Sequence, residues 1–594
     1  MRKAAILSLI LAFVALGCGR SGHAPESGQN PAGGGAPVES TATVQSSAPI
    51  ADANGLIEAP KPEGPLPEHL VGANPKPNPN ETPVDGGTIV ERMASEPETL
   101  NPLTATDAYA GMVLGLVMDS LASRNPDTLD WEPYLAESWD ISQDHLSYVF
   151  HLRKGVKWHD GAPFNADDVL YSYQKLMDSS VSAAPLRNYY QDLQGVEKID
   201  DYTVKFSWKK QYFMSLEMSA GFVILPKHVF DNGENFNTHS AGRHPIGTGM
   251  YKFANWRSND QIVLEQNEDY FGRKPHIKRI IYKLIPDDNN AILQASSGAL
   301  DEMNVTQEQW VTDLMKPPFP EKFNKYFYYN QYYNYIGWNE LRPFFQDKTV
   351  RRAMTMLVDR EGILKNILHD LGVVVTGPFY VFSDAYDRNI KPWPYDPKEA
   401  RRLLDEAGWI DHDGDGIRDK VVDGKTVRFS FTLMIPAGRS VVEQIATLVQ
   451  EEMRKSGIEV NLQKLEWAVF IQRINERSFD AIIVGWAMGV EQDPYQIWHS
   501  SMIGSGGSNA IGFSNPEADK LIEEARPEFD RAKRTEIYHK FHAFLHEEQP
   551  YTFMFCTANL VIVDKRVHNV IVHRLGLDIR DWFIPIELQS VRGQ

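Results

Sequence analysis

Cysteine is almost missing from this chain: Cys18 and Cys556 are the only two among 594 residues. Long apolar runs are missing too. The one candidate, Ala4–Leu16, falls short of the ~20 residues that a membrane span requires. Long Lys/Arg runs are absent and the net charge is −19, which argues against nucleic-acid partners. Familiar catalytic signatures are lacking as well. His546 in "LHEEQP" has no second histidine four residues later, so it is not a zinc helix. "GSGGSN" lacks the spacing and the lysine of a phosphate loop, and no nucleophile elbow occurs. Paired carboxylates are common, as in any acidic protein, and none stands out. No enzyme and no cofactor are expected.

What is present begins at the N-terminus. Arg2 and Lys3 precede the apolar run, and Gly17 and Cys18 follow it. This is the layout of a secretory signal. "VALGC" resembles the bacterial lipobox, whose cysteine is lipidated and becomes the mature N-terminus. Residues 1–18 are thus expected to be a lipoprotein signal peptide with lipidation at Cys18. Ala15 stands where the motif usually has Leu. An ordinary signal peptide with an incidental cysteine is the alternative. Gly19 is not the Asp associated with inner-membrane retention, and which membrane holds the anchor stays open.

Residues 19–85 are rich in Gly, Ser, Ala, Pro and Thr and carry no aromatic residue. Such a segment cannot bury a core and reads as a flexible tether, more extended toward its Pro-rich end. Cys556 lies in "PYTFMFCTANLVIV", surroundings that suit a buried, inert thiol. It has no internal disulfide partner once Cys18 is lipidated, so stability must come from hydrophobic cores.

From about Gly86 helix and strand patterns mix, and no short-period repeat occurs. "LRKGVKWHDGAPFNADDVLYS" (152–172) concentrates His159, Asp160, Asp167 and Asp168 in a turn-rich stretch. Ser147–Arg153 alternates as a strand. "KG" and "DG" are turn signals, and Asn165 with Asp168 forms a capping box for a helix whose stripe is Val169, Tyr173 and Leu176. His159 and Asp160 are adjacent and, if extended, face opposite sides. The stretch therefore reads as scaffold rather than as a metal or acid–base site.

Further on, Asp396, Pro397, Glu399 and Gly408 punctuate a helix with the stripe Ala400, Leu403, Leu404 and Ala407. Val427–Ile435 alternates as a strand. Ser440–Gly457 is a helix with Ser440 and Glu443 as its capping box, Ile458–Leu465 a strand, Glu466–Glu476 helical, and Phe479–Trp486 a buried strand. Strand–helix–strand–helix–strand predicts a parallel sheet, with ligand beyond the carboxyl ends of its strands. The aromatic and acidic loop "AMGVEQDPYQIW" after Trp486 sits at that place. A surface loop of incidental composition is the competing reading. "WIDHDGDGIRDK" puts Asp411, Asp413, Asp415 and Asp419 at calcium-loop positions, with Gly416 at the turn. Val422 stands where the bidentate Glu belongs, so an Asp/Gly-rich turn competes with calcium binding.

"YLAESWDISQDHLSYVFHLRKGVKWHDGAPFNADDVLYSYQKLMD" resembles the signature region of the family 5 bacterial extracellular solute-binding proteins, which include the oligopeptide- and dipeptide-binding proteins of ABC importers. "EPETLNPLTATD", "HPIGTGMYKFANWRSNDQIVLEQNEDYF", "RPFFQDKTVRRAMTMLVDREGI", "YDPKEARRLLDEAGW" and "NPEADKLIEEAR" extend the likeness over nearly all of the chain after the tether. The resemblance implies an α/β, two-lobed periplasmic-binding-protein-like (class II) fold with mixed sheets, a hinge and an extra subdomain. Lobe I would span 86–325 plus 531–594, with the subdomain at about 121–214, and lobe II 326–530.

The same resemblance implies a monomeric, lipid-anchored extracytoplasmic protein that captures di- or oligopeptides and delivers them to an ABC permease. A sugar or metal chelate is the alternative ligand, and a tethered secreted hydrolase the more distant rival. Implied first-lobe contacts are Thr106, Asp107, Ala108, Tyr109, Gly247, Thr248 and Gly249. Implied second-lobe contacts are Trp338, Asn339, Trp486, Met488, Gly489, Glu491 and Asp493. Peptide-binding members usually carry, three residues after this Trp, an acid that pairs with the peptide α-ammonium. Here that place is Gly489, with Glu491 and Asp493 nearby.

Overall fold

The computed structural model describes residues 68–105, 107–504 and 506–589. The signal segment, Cys18, the tether up to residue 67 and Thr106 lie outside the described residues. Among those described, no helix is long and apolar enough to cross a membrane.

The first lobe is built on an eight-stranded mixed sheet. Across it run Phe323–Tyr329, Phe555–Asp564, Glu302–Asn304, Thr88–Met93, Arg279–Leu284, Gln261–Gln266 and Tyr251–Arg257, and Gly372–Val374 joins the edge of Phe555–Asp564. Thr88–Met93 is parallel to both neighbours, and Glu91 lies directly opposite Glu302. The segment expected to finish the tether packs on this sheet. Leu70 enters a core with Trp310 and Phe323. Asn74 imitates a strand residue: its Nδ2 donates to the Phe327 carbonyl (2.9 Å) and its Oδ1 accepts from the Phe327 N–H (2.8 Å). These bonds satisfy backbone groups that an edge strand would otherwise expose. Among the described residues, packed structure is thus present from Glu68 on, earlier than the expected start at Gly86.

The second lobe carries a five-stranded sheet in the order Glu459–Leu465, Ser430–Pro436, Ala481–Ala487, Tyr332–Trp338, Tyr551–Phe553. The first three strands are mutually parallel, as strand–helix alternation predicts, and the last two are antiparallel additions. Helix Arg531–Glu548 and strand Tyr551–Phe553, expected in lobe I, lie with this second sheet. Phe541, Leu545, Tyr551 and Phe553 share one core with Tyr335 and Ile482. The return to the first lobe comes at Met554, not near residue 530. "VRFSFTLMI" is also split. Val427 and Arg428 close a hairpin with Asp419 and Lys420, and the sheet strand starts at Ser430. Helix Ser440–Lys455 starts one residue early, with Arg439 at the N-cap and no side-chain cap. Asp396 does cap Pro397–Glu406, but Glu399 bonds Arg402 instead of closing a box.

The chain crosses between the sheets from Tyr329 to Tyr332 and from Phe553 to Phe555. Asn334 ties these crossings: its carbonyl accepts from Met554 (3.0 Å) and its Oδ1 from the Phe555 N–H (2.9 Å).

A four-stranded antiparallel sheet, Ala136–Ile141, Ser147–Leu152, Thr203–Trp208 and Leu193–Asp200, forms a subdomain with its own aromatic core. Helix Ala166–Met177 has the full Asn165/Asp168 capping box. His159 is structural. Its Nδ1 accepts from the Gly247 N–H (3.2 Å) and its Nε2–H donates to the Gly249 carbonyl (2.9 Å), which clamps the subdomain to the Gly247–Gly249 turn. Burial pushes its pKa down to about 4, so the ring stays neutral in this role.

Candidate ligand site between the lobes

A cavity of about 320 Å³ opens where the three units meet. The second lobe contributes the loop after strand Ala481–Ala487 and helix residue Trp498. The first lobe contributes helix Ala108–Val117, bracketed by Asp107 and Asp119. The subdomain side contributes Trp131, Tyr134, Tyr189, Met214 and Met218. The wall is thus mostly apolar, including aromatic rings and thioethers, with a few carboxylates, the usual makeup of a small-molecule site. Flexible methionines such as Met118, Met214, Met218 and Met488 adapt to varied ligand shapes.

Of the residues expected to bind ligand, Asp107, Met488, Gly489, Glu491 and Asp493 reach this wall. Trp486 does not. It points from the strand into a smaller gap, stacks near Tyr335 and donates from Nε1 to Tyr551 Oη (3.3 Å). Period-two alternation sends its neighbour Ala487 to the cavity instead. Trp338 and Asn339 lie away from the cavity in the core. Trp338 Nε1 donates to Thr552 Oγ1 (3.1 Å), and Asn339 Nδ2 to the Phe479 carbonyl (2.7 Å). The reason is strand direction: Tyr332–Trp338 runs antiparallel to Ala481–Ala487, so Trp338 pairs with Ala481 at the end opposite the loop.

Ala108 is exposed, and Tyr109 Oη accepts from Arg439 Nη2 (2.5 Å), a contact between lobes rather than a cavity lining. Gly247 and Gly249 stand one layer back. A Cβ at Gly247 would fall 1.7 Å from the Val117 carbonyl oxygen, and one at Gly249 2.5 Å from that of Leu116, so both glycines permit close packing on the helix end. Thr248 acts through Asp119, to which its Oγ1 donates (2.9 Å).

The carboxylates of the wall are held in different ways. Glu491 lies 3.3 Å from Arg534 and 3.5 Å from Arg531. Asp493, with a side chain only 1% exposed, accepts from Arg526 Nε (3.0 Å) and from Tyr212 Oη across the cleft (2.8 Å). Arg526 is sandwiched between the rings of Tyr212 and Tyr495, each 4.4 Å away. Glu217 pairs with Arg124, and burial still leaves its pKa raised. Asp107 caps helix Ala108–Val117 by accepting from the Ala110 N–H (2.8 Å), and burial raises it too. Asp119 is bonded by hydroxyls alone, from Thr248, Tyr134 and Tyr270, and burial lifts its pKa to about 7.

Asp119, Glu217 and the aromatic residues of the subdomain side are functional candidates that the sequence did not reveal. They come from segments with ordinary helix and strand patterns and meet only through folding. At the calcium candidate, Asp411, Asp413 and Asp415 place oxygens within 4.8 Å of one another, all exposed. Asp419 has turned away to accept from His412 Nδ1 (2.8 Å), and Asp415 pairs with Arg428, so the four carboxylates do not form one set.

The geometry of two sheets linked by chain crossings, with a cleft between the lobes, agrees with comparisons to known proteins. A model of the bacterial extracellular solute-binding proteins, family 5 middle region, matches residues 130–508, more than half of the chain. The protein belongs to this family. Among family relatives, the oligopeptide-binding protein AppA of Bacillus subtilis is 35% identical over 522 residues, covering 84% of this chain and 92% of that one. Its structure with a nonapeptide superimposes with a TM-score of 0.79 at 34% identity, covering 85% of this chain and all of that one. NikZ from Campylobacter jejuni, solved with Ni(L-His), gives a TM-score of 0.74 at 27% identity over 84% of this chain and 99% of that one. The family fold is the two-lobed binding-protein fold, and its members are substrate-binding proteins of transport systems.

Proposed function

We propose that this family 5 protein captures short peptides between its lobes and delivers them to the permease of an ABC importer, held at the outer face of a membrane by a lipid on Cys18. One observation carries the reading: a cavity walled by both lobes and the subdomain, at the carboxyl end of the parallel strands, beside two chain crossings suited to hinge closure. The relative that binds oligopeptides supports peptide as the ligand class. A cavity of about 320 Å³ is near the lower bound of the ~300–1,000 Å³ typical of ligand pockets, which favours short ligands. Main-chain hydrogen bonds to an extended ligand would tolerate varied side chains. Closure excludes water and strengthens those bonds.

A non-peptide solute is the second reading. It draws on Gly489, which offers no carboxylate where peptide-binding relatives usually have one. Native mass spectrometry of the mature protein with di-, tri- and oligopeptide panels separates the two. Retained peptides without release of cleaved product support the proposal. Exclusive retention of a chelate or sugar overturns the peptide assignment, and turnover overturns the binding role. Metabolic labelling with palmitate, lost in Cys18→Ser, tests the anchor.

A further inference from the structure

The cavity has an unbalanced charge. Its described wall includes Asp107, Asp119, Glu217, Glu491 and Asp493, but no Lys, Arg or His. Four of these acids are compensated from behind. Arg124 faces Glu217, Arg531 and Arg534 face Glu491, Arg526 faces Asp493, and the N-terminus of helix Ala108–Val117 faces Asp107. Asp119 differs. It stands two residues past the C-terminal end of that same helix, where the backbone dipole is negative and disfavours a carboxylate. Only hydroxyls donate to it. The charge of Arg580 also acts on it, and Arg580 is itself held by Asp578 through Nε (2.8 Å). Asp119 is 8% exposed and faces the cavity. A buried carboxylate in this setting gains most from a cation that arrives with the ligand.

We propose that Asp119 is the specificity-determining anchor for a cationic group of the ligand, an ammonium or guanidinium, so that positive charge is read from the first lobe and not from the loop carrying Gly489. The inference rests on the cavity being the ligand site. It narrows the ligand class to solutes carrying a cation that can be placed against helix Ala108–Val117. Thr248 orients the carboxylate, and the rings of Tyr134, Trp131 and Tyr189 line the same cavity.

The test is calorimetric titration of the whole mature protein with matched solutes: a lysine-containing tripeptide against its norleucine analogue, each with free and acetylated N-terminus, and agmatine as a non-peptide cation. The wild type should bind the member bearing the anchored cation roughly tenfold more tightly than its neutral match. Asp119→Asn keeps an acceptor for Thr248 and should reduce that ratio to less than about twofold. Thr248→Val removes the orienting hydroxyl but keeps the charge, so it should lower the ratio less than Asp119→Asn does. Discrimination that survives in Asp119→Asn, is absent in the wild type, or falls further in Thr248→Val than in Asp119→Asn overturns the anchor. If agmatine binds in an Asp119-dependent way and no peptide does, the anchor stands and the peptide reading falls.

Discussion

Tyr212 of the subdomain donates a 2.8 Å hydrogen bond to Asp493 of the second-lobe loop. The same carboxylate accepts from Arg526, which stacks on Tyr212. The second lobe supplies Asp493 with Arg526 and the Tyr495 N–H (3.0 Å), and Tyr212 adds the one bond from the opposite wall. Glu491 and Asp493, available on paper to replace the acid absent at Gly489, are already engaged by arginines.

Tyr212→Phe keeps the buried ring and deletes the bridging hydroxyl. A hydrogen bond to a charged acceptor contributes ~1.5–3 kcal/mol, so the closed state should weaken and apparent ligand affinity fall about tenfold. Calorimetry should show the affinity loss, and small-angle scattering a larger radius at subsaturating ligand. Unchanged affinity would argue that this contact does not govern closure.

Gly489→Asp restores an acid at the place where peptide-binding relatives usually carry one. Gly489 lines the cavity, and a Cβ there would meet only the Glu491 carbonyl, at 3.3 Å, so a small local shift accommodates it. The variant should prefer peptides with a free N-terminus over acetylated ones by about tenfold relative to wild type. Paired titrations of the two peptide forms read this directly.

Gly247→Ala should destabilise the fold by ~3 kcal/mol, because the added methyl overlaps the Val117 carbonyl and nothing flexible can yield. The urea midpoint measures the loss. Gly155→Ala has open space around the added methyl and serves to separate left-handed backbone strain, at φ +79°, from this overlap.

Glu91 and Glu302 lie opposite each other on neighbouring parallel strands, and burial raises both carboxyls above the usual 4.5; the charge of Asp301 raises Glu91 further and that of Glu91 raises Glu302. The folded pair therefore keeps protons at pH values where the unfolded chain has released them. Stability falls as pH rises above the unfolded values and through the raised ones. Glu91→Gln should flatten the urea-midpoint profile between about pH 5 and 8 and stabilise the protein at the alkaline end. An unchanged slope would show that the pair does not titrate in this range.

Much of the scaffold was legible because it rests on local rules. The Asn165/Asp168 box, the Asp396 cap and the three parallel strands around Ala481–Ala487 follow from capping chemistry and periodicity within short windows. His159 in "KWHDG" reads correctly as scaffold, although its partners Gly247 and Gly249 lie some ninety residues away. The loop after Trp486 was legible as a wall because strand ends have a fixed relation to ligand sites. The direction of Trp338 was not, since antiparallel pairing with Ala481–Ala487 is a long-range choice.

The sequence by itself determined that this is an acidic, two-lobed α/β protein of family 5 with Gly489 in the loop that follows strand Ala481–Ala487. Only the tertiary structure decided where the lobes end, since Tyr551–Phe553 pairs with a strand more than two hundred residues earlier. It also decided which acids are taken. Arg526, Arg531 and Arg534 reach Asp493 and Glu491 from a different helix pair, while Asp119 is left at the negative end of its helix with hydroxyl partners. Charge compensation depends on distances of a few ångströms through a low-dielectric interior, and such distances are set by packing, not by spacing along the chain.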